Sequence, residues 1–360
     1  ASMVHCKSGK KPVNYEHFNE GYMMHTSTSP QYGIIASLDV ASKMMQGKEG
    51  FNLIDEAIEE SLIFRQTMSK INAHHNKKKT WWLAPWQPTS YMHNKKRTLF
   101  QNMPISELKK QSAWRLHSKD KWHGFDKIDK DYVMLDPTRT TLLCPGLDEN
   151  GKFEKMGIPA SLFSRFLENR GMVMEKTGFY SFLILFSIGI TKGKASALIS
   201  ELYEFKRLYD KNTALEELFP ELMADYPERY EGMGIKDLAT EMHEAYKAEK
   251  ITHVLKDVYE VLPKQATSPA QAFQSLVNDN VTSTPLTKLK GRTSAVMLVP
   301  YPPGIPIIMP GEVISQPIIE FLQAYEDFYS AFPGFETEVH GLVVKHSGGK
   351  AKFFVDVVKA

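Results

Sequence analysis

A run of patterned segments between residues 132 and 210 constrains the fold more than anything else in the chain. Residues 132–144 read as a strand, stopped by Pro145-Gly146. Ile158-Pro159 opens a helix, with proline where its missing N–H costs least, and Gly171 closes it. Residues 172–176 and 179–188 read as two further strands. The continuous apolar character of the second predicts burial on both faces. A helix over 194–210 then places Leu198, Leu202, Phe205 and Leu208-Tyr209 on one side. Strand, helix, strand, strand, helix is the order of a compact α+β unit.

On the N-terminal side, residues 39–45 and 51–72 read as helices. Phe51, Ile54, Ile58, Leu62 and Arg65 fall three and four apart, which gives the longer one an apolar stripe on one face. At about 20 residues it would span roughly 30 Å, enough to join two domains. Helical segments continue to about residue 248, and Pro263, Pro269 and Pro285 punctuate the next stretch. The C-terminal end reads as a helix over 315–330 and a hairpin, 336–345 with 351–358, around Ser347-Gly348-Gly349. The chain has no internal repeat and no low-complexity segment.

Composition removes several function classes. At 42% hydrophobic and 24% charged, the 360 residues match a globular protein and exclude a disordered tail or a fibre. The net charge of +2 gives no overall attraction to nucleic acid or to acidic membranes. Locally, residues 70–130 hold fourteen lysines and arginines against four acids, together with all five tryptophans. Lys77-Lys78-Lys79-Thr80-Trp81-Trp82 interleaves charge with aromatics, as single-strand binders do. No recognised nucleic-acid module accompanies it, and the rest of the chain is net acidic, so a partly packed insertion is the reading preferred.

Cys6 and Cys144 are too few and too far apart for a disulfide framework or a cysteine zinc site. His74-His75, His117 and His123 fit no metal spacing, so no metal is expected. The longest apolar run, about 12 residues, is too short to cross a bilayer. No signal peptide precedes the first polar stretch, and the expected compartment is cytoplasmic. The opening Ala1-Ser2-Met3, without an initiator methionine, reads as a fragment or a processed product.

Three places carry candidate chemistry. Thr26-Ser27-Thr28-Ser29-Pro30 offers consecutive hydroxyls before a helix, an arrangement that suits an anion but also an ordinary turn. Glu175 ends a short strand beside Lys176-Thr177-Gly178, where it is either a site carboxylate or a rim glutamate paired with Lys176. In Tyr301-Pro302-Pro303-Gly304-Ile305-Pro306, three prolines hold the tyrosine on a stiff loop, suited to a ligand pocket or to a domain joint.

Taken in order, several segments resemble the bacterial pyridoxal-phosphate (PLP) dependent ornithine/lysine/arginine decarboxylases of fold type I, the lysine and arginine enzymes above all. They are Tyr22-Met23-Met24-His25-Thr26-Ser27-Thr28-Ser29-Pro30, Trp122-His123-Gly124-Phe125, Gly157-Ile158-Pro159-Ala160, Glu175-Lys176-Thr177, Leu185-Phe186-Ser187-Ile188-Gly189, Val299-Pro300-Tyr301-Pro302-Pro303-Gly304 and Phe332-Pro333-Gly334-Phe335-Glu336. The resemblance spans nearly the whole chain.

The fold it implies is mixed α/β and α+β, in three parts. Residues 1–72 would be the end of the PLP-binding large domain with a domain-joining helix. Residues 73–247 would be the basic, tryptophan-rich insertion and an aminotransferase-like small α+β domain, and residues 248–360 a C-terminal α+β domain. The implied reaction is α-decarboxylation of a basic amino acid, lysine favoured over arginine or ornithine, releasing CO₂ and a diamine or agmatine. Such enzymes serve amino-acid catabolism, polyamine supply and acid resistance.

Carried over residue by residue, Ser27, with Thr28 and Ser29 behind it, would reach the cofactor phosphate of a partner subunit. Glu175 would bind the distal amine of the substrate, and Tyr301 would be the active-site tyrosine. The family's Ser-x-His-Lys segment, whose lysine forms the Schiff base with PLP, does not occur in these residues. The chain therefore reads as the C-terminal portion of such a homo-oligomeric enzyme, inactive in isolation. The alternative is a non-catalytic split subunit or paralogue that assembles with a full decarboxylase.

Overall fold

The computed structural model describes residues 4, 6–27, 29–118, 120–301, 303–336, 338–347 and 350–359. Residues 1–57 form one unit and residues 58–360 a second. The first holds α1 (Tyr15–Met24), α2 (Tyr32–Met44) and the start of α3 (Gly47–Lys77). α1 is capped at Asn14, whose side chain accepts the His17 N–H at 2.8 Å. α2 starts well before the predicted residue 39, because Pro30 fixes the entry and the chain turns immediately after it. Gly33, Ile34 and Ile35 are weak helix formers that the periodicity alone does not reveal.

The second unit is built around a four-stranded sheet in the order β1-β4-β6-β5, from β1 (Ala84–Pro85), β4 (Arg139–Leu143), β5 (Lys176–Thr177) and β6 (Ser181–Leu185). All its pairings are antiparallel, with Thr141 opposite Leu183 and Thr177 opposite Phe182. Two helices cover one face, α5 (Ala160–Glu168) and α6 (Lys192–Asp210). From them Phe163, Phe166 and Phe205 pack in a cluster, with the Phe163 and Phe205 rings stacked at 4.0 Å. Pro159 caps α5, and the predicted stripe Leu198, Leu202, Phe205, Leu208 and Tyr209 is buried.

Two strand predictions change in extent. β4 begins only at Arg139, because Pro137 has no N–H for a ladder and Asp136 turns the chain by accepting from the Thr138 amide and hydroxyl. The preceding residues are extended but pair elsewhere: Leu135 donates to Trp114 and Leu116 to Val133. β6 is also not buried on both faces. Phe182 points into the core, whereas Ser181 and Leu183 are half-buried and line a groove.

The basic insertion is mostly packed. It holds a hairpin, β2 (Ser90–His93) with β3 (Lys96–Leu99), and a short helix α4 (Ile105–Leu108). Trp114 is fully buried in a small core with Leu62, Phe100, Met103 and Leu108. Trp82 is buried against His75, and the Trp81 indole donates to Asp210 at 2.9 Å. Here the tryptophans serve packing rather than an open stacking platform.

Arg65 of α3 is completely buried and fastens this region. It donates to the carbonyls of Pro137, Arg139 and Trp86 and to Gln87 Oε1, and its guanidinium stacks 5.1 Å from the Trp114 ring. Burial lowers its pKa to about 9, above neutrality, so it is charged at pH 7.

Short helices α7 (Leu215–Leu218), α8 (Pro220–Asp225) and α9 (Pro227–Tyr230) lead to α10 (Ile235–Ala248). His243 of α10 is buried. Its Nε2 lies 3.0 Å from the Glu154 carbonyl and its Nδ1 2.6 Å from the Tyr180 hydroxyl. Since a carbonyl only accepts, Nε2 carries the proton and Nδ1 accepts from Tyr180. Gly157 lies against this ring: a Cβ there would sit 2.0 Å from Nδ1.

The C-terminal segment begins with α11 (Ile251–Glu260), α12 (Pro269–Val277), β7 (Val281–Pro285) and β8 (Val299–Pro300). After these come α13 (Gln316–Ala331), β9 (Val339–His340), β10 (Leu342–Ser347) and β11 (Lys350–Val358). The predicted hairpin is β10–β11, with β7 joining it on the far side of β11. Gly348 and Gly349 of its turn lie outside the described residues.

Candidate active site

A groove of about 930 Å³ runs between the sheet of the second unit and the C-terminal segment. β4, β5 and β6 supply Thr141, Lys176 and Leu183, while the C-terminal side supplies Tyr301, Pro303 and Glu338. Tyr301 is anchored through its backbone, donating its N–H to the Glu338 carbonyl at 2.8 Å just beyond the β8–β9 pairing. The loop then closes on itself, with Gly304 N–H donating to the Pro300 carbonyl at 2.8 Å. Gly304 has φ +77°, and a Cβ there would meet the Tyr301 ring at 3.1 Å. Only glycine lets the ring fold back over the turn. Pro302 lies outside the described residues.

Glu175, next in sequence to the groove residue Lys176 but not itself part of the groove lining, is exposed, with its N–H donating to the Leu183 carbonyl at 3.0 Å. Its neighbour Lys176 does not pair with it. The Lys176 ammonium instead donates to the Pro303 carbonyl at 3.3 Å, across 127 positions of sequence. That bond ties β5 to the loop that carries Tyr301, and Glu175 immediately precedes β5. The other groove cation, Arg165, donates to the Gly334 carbonyl. Both groove cations are thus engaged by backbone carbonyls.

Ser27 and Ser29 belong to the first unit. Ser27 Oγ accepts the Ser29 N–H at 3.2 Å, and its own proton reaches the Ser29 carbonyl only at 3.4 Å. That long contact leaves the proton available to an anion. Thr28 lies outside the described residues. An exposed hydroxyl four residues before the Gln31 cap of α2 is one donor that fits a phosphate. Among the described residues no group of three metal-ligating side chains converges, and no helix is long and apolar enough to cross a membrane.

Sequence reading missed two groups in the groove. Lys176 appeared only as a partner for Glu175, and its long-range bond depends on how the C-terminal segment returns. Ser161 Oγ is buried in the groove wall without a hydrogen-bond partner, which no motif marks.

Residues 1–194 match the sequence profile of the Orn/Lys/Arg decarboxylase major domain, and residues 252–359 that of the C-terminal domain of the same family. The chain belongs to the Orn/Lys/Arg decarboxylase family. It is 45% identical over 353 residues to a lysine decarboxylase of Pseudomonas aeruginosa, covering 97% of this chain and 45% of that protein. To a lysine decarboxylase of Hafnia alvei it is 41% identical, covering 100% and 46% respectively. The solved structure of lysine decarboxylase A from Pseudomonas aeruginosa superposes with a TM-score of 0.88 at 44% identity, over 98% of this chain and 46% of that one. The chain thus spans about half the length of these relatives. The Orn/Lys/Arg decarboxylases are PLP-dependent as a family.

In this chain, Gly304→Ala is expected to strain the turn by about 1–2 kcal/mol and push the Tyr301 ring off its seat. The unfolding midpoint should move by only a few degrees, while turnover in the complete enzyme falls about tenfold. Unchanged turnover would show that the position of the ring does not matter.

Proposed function

We propose that these residues form the substrate-facing wall of a PLP-dependent decarboxylase for a basic amino acid, lysine favoured over arginine and ornithine. The supporting observation is the Lys176–Pro303 bond, which ties the strand that follows the exposed Glu175 to the loop of Tyr301, a lining residue of the groove. The relatives from Pseudomonas aeruginosa and Hafnia alvei are both lysine decarboxylases.

PLP, when bound, supplies the electron sink that accepts the bond pair left behind as CO₂ departs. Glu175 holds the distal ammonium of the substrate by a charge-assisted contact, which fixes chain length and charge. Tyr301 lines the groove, where its hydroxyl hydrogen-bonds the substrate or moves a proton beside the reacting carbon. Ser27, with Thr28 and Ser29, donates to the phosphate of the cofactor held by a partner subunit, so the working form is a homodimer or a larger homo-oligomer. No Ser-x-His-Lys segment occurs in the 360 residues, so the covalent anchor comes from outside them. The proposed division remains 1–72, 73–247 and 248–360: end of the large domain, insertion with small domain, and C-terminal domain.

The test is amine formation by the complete enzyme from lysine, arginine and ornithine in parallel, together with Ser27→Ala. Lysine should be the preferred substrate. Ser27→Ala, losing a hydrogen bond to a charged group of about 1.5–3 kcal/mol, should release PLP on dialysis at least tenfold more readily. Full retention of PLP, with Ser29→Ala also silent, removes the hydroxyl segment from the cofactor site. A protein that processes none of the three amino acids while retaining PLP favours a non-catalytic subunit.

A further inference from the structure

A second, smaller cavity of about 130 Å³ lies where the last turns of α10 and α13 converge. Its walls include Phe179, Tyr246, Glu249, Tyr325, Asp327 and Phe328. The aromatic rings are held rigidly against one another. Tyr246 stacks on Phe328 at 4.6 Å, and Phe179 meets Tyr246 edge-on at 5.0 Å and Tyr325 at 6.1 Å.

Two polar features have no use within the fold. Tyr246 and Tyr325 are 6% and 7% exposed, yet neither hydroxyl makes a hydrogen bond among the described residues. Neither oxygen is among the fully buried unsatisfied atoms, so each stays open to the cavity, where water or a ligand can meet it. Nor does Glu249 or Asp327 have an ion-pair partner among the described residues. Lys352, the cation nearest in effect to Asp327, donates to Glu326 at 2.8 Å.

The field of the site has one sign. The last turns of α10 and α13 present helix C-termini, each equivalent to roughly half a negative charge. α11 begins at the same place, and its opposing dipole offsets one of them. One helix end and two carboxylates remain, against an aromatic wall. Burial and the neighbouring Asp327 raise the pKa of Glu249, a cost that a cation in the cavity would relieve.

A metal ion does not fit this chemistry. Hard cations need six or more oxygen ligands, and most of the wall is carbon. An organic ammonium does fit, because ring faces attract it and carboxylates and phenols take its N–H groups. The volume admits a short alkyl chain and excludes a nucleotide or a cofactor. We propose that this cavity binds a primary alkylammonium ion at a site separate from the groove of Tyr301. The phenols Tyr246 and Tyr325 line both cavities, so an occupant here would sit directly behind the groove wall.

The probe is n-butylammonium, titrated calorimetrically into the complete protein, with n-pentanol as a neutral control of similar size. A Glu175→Gln background removes the amine contact of the groove. In that background one butylammonium should bind per chain, Glu249→Gln should weaken it about tenfold, Asp327→Asn should weaken it further, and pentanol should give no heat. Because Glu249 is only half-buried, its amide variant should keep the parent's unfolding midpoint. Butylammonium binding that vanishes with Glu175→Gln, or that persists unweakened in Glu249→Gln with Asp327→Asn, overturns the proposal. So does equal binding of pentanol, which would make the cavity merely apolar.

Discussion

Replacing Glu175 by Gln in the complete enzyme is expected to lower kcat/KM for lysine about a hundredfold. The substrate would arrive with an ammonium that must shed water against a neutral amide. The lost charge-assisted contact is worth about 1.5–3 kcal/mol, and a decade of rate corresponds to about 1.4 kcal/mol. PLP content and the unfolding midpoint should hardly move, since Glu175 is exposed and bonds within the described residues through its backbone alone. Glu175→Thr should behave similarly and lose lysine turnover far more than it loses PLP. Should lysine turnover survive both changes, the carboxylate belongs to the rim alone and an acid of the groove selects the substrate.

The second large effect concerns stability. Arg65→Met is expected to cost about 3–5 kcal/mol, because the carbonyls of Arg139 and Trp86 would lose the guanidinium donor and that of Pro137 would keep only the Ser61 hydroxyl. The shape of methionine approximates the arginine stem, so the loss reports the hydrogen bonds more than the volume. Arg65→Lys retains the charge but cannot serve four acceptors from one planar fork, and should recover less than half the loss. Urea unfolding followed by tryptophan fluorescence reads this directly, with Trp114 lying against the guanidinium. A midpoint unchanged in Arg65→Met would mean that water enters and satisfies the carbonyls.

How much of this was legible in the sequence depended on how local each feature is. α5 and α6 follow from their own punctuation and periodicity, and they buried the residues the spacing named. The terminal hairpin was equally local. β4 was overextended because Tyr132 to Leu135 are β-formers whose partner, the Trp114–Leu116 segment, is set by tertiary structure. The same limit applied to β6: its apolar run is open on one side because the groove passes there. For the site, motifs singled out Glu175 and Tyr301, but nothing local linked them. Lys176 bonds a carbonyl 127 positions away, and such a contact has no sequence period. Arg65 looked like one more position on a helical stripe, although its role depends on four acceptors from other segments. The unpartnered hydroxyls of Tyr246 and Tyr325 were equally invisible, since an unmet bond leaves no trace in spacing.

The groove's two walls are made at different times on the ribosome. Leu143 and Leu183 emerge long before Tyr301, Phe335 and Glu338, so the inner side of the sheet stays bare through synthesis of more than a hundred further residues. A nascent chain halted in that interval displays a sticky strand surface without its cover. Premature termination after β6 should therefore yield an aggregating product rather than a smaller soluble one.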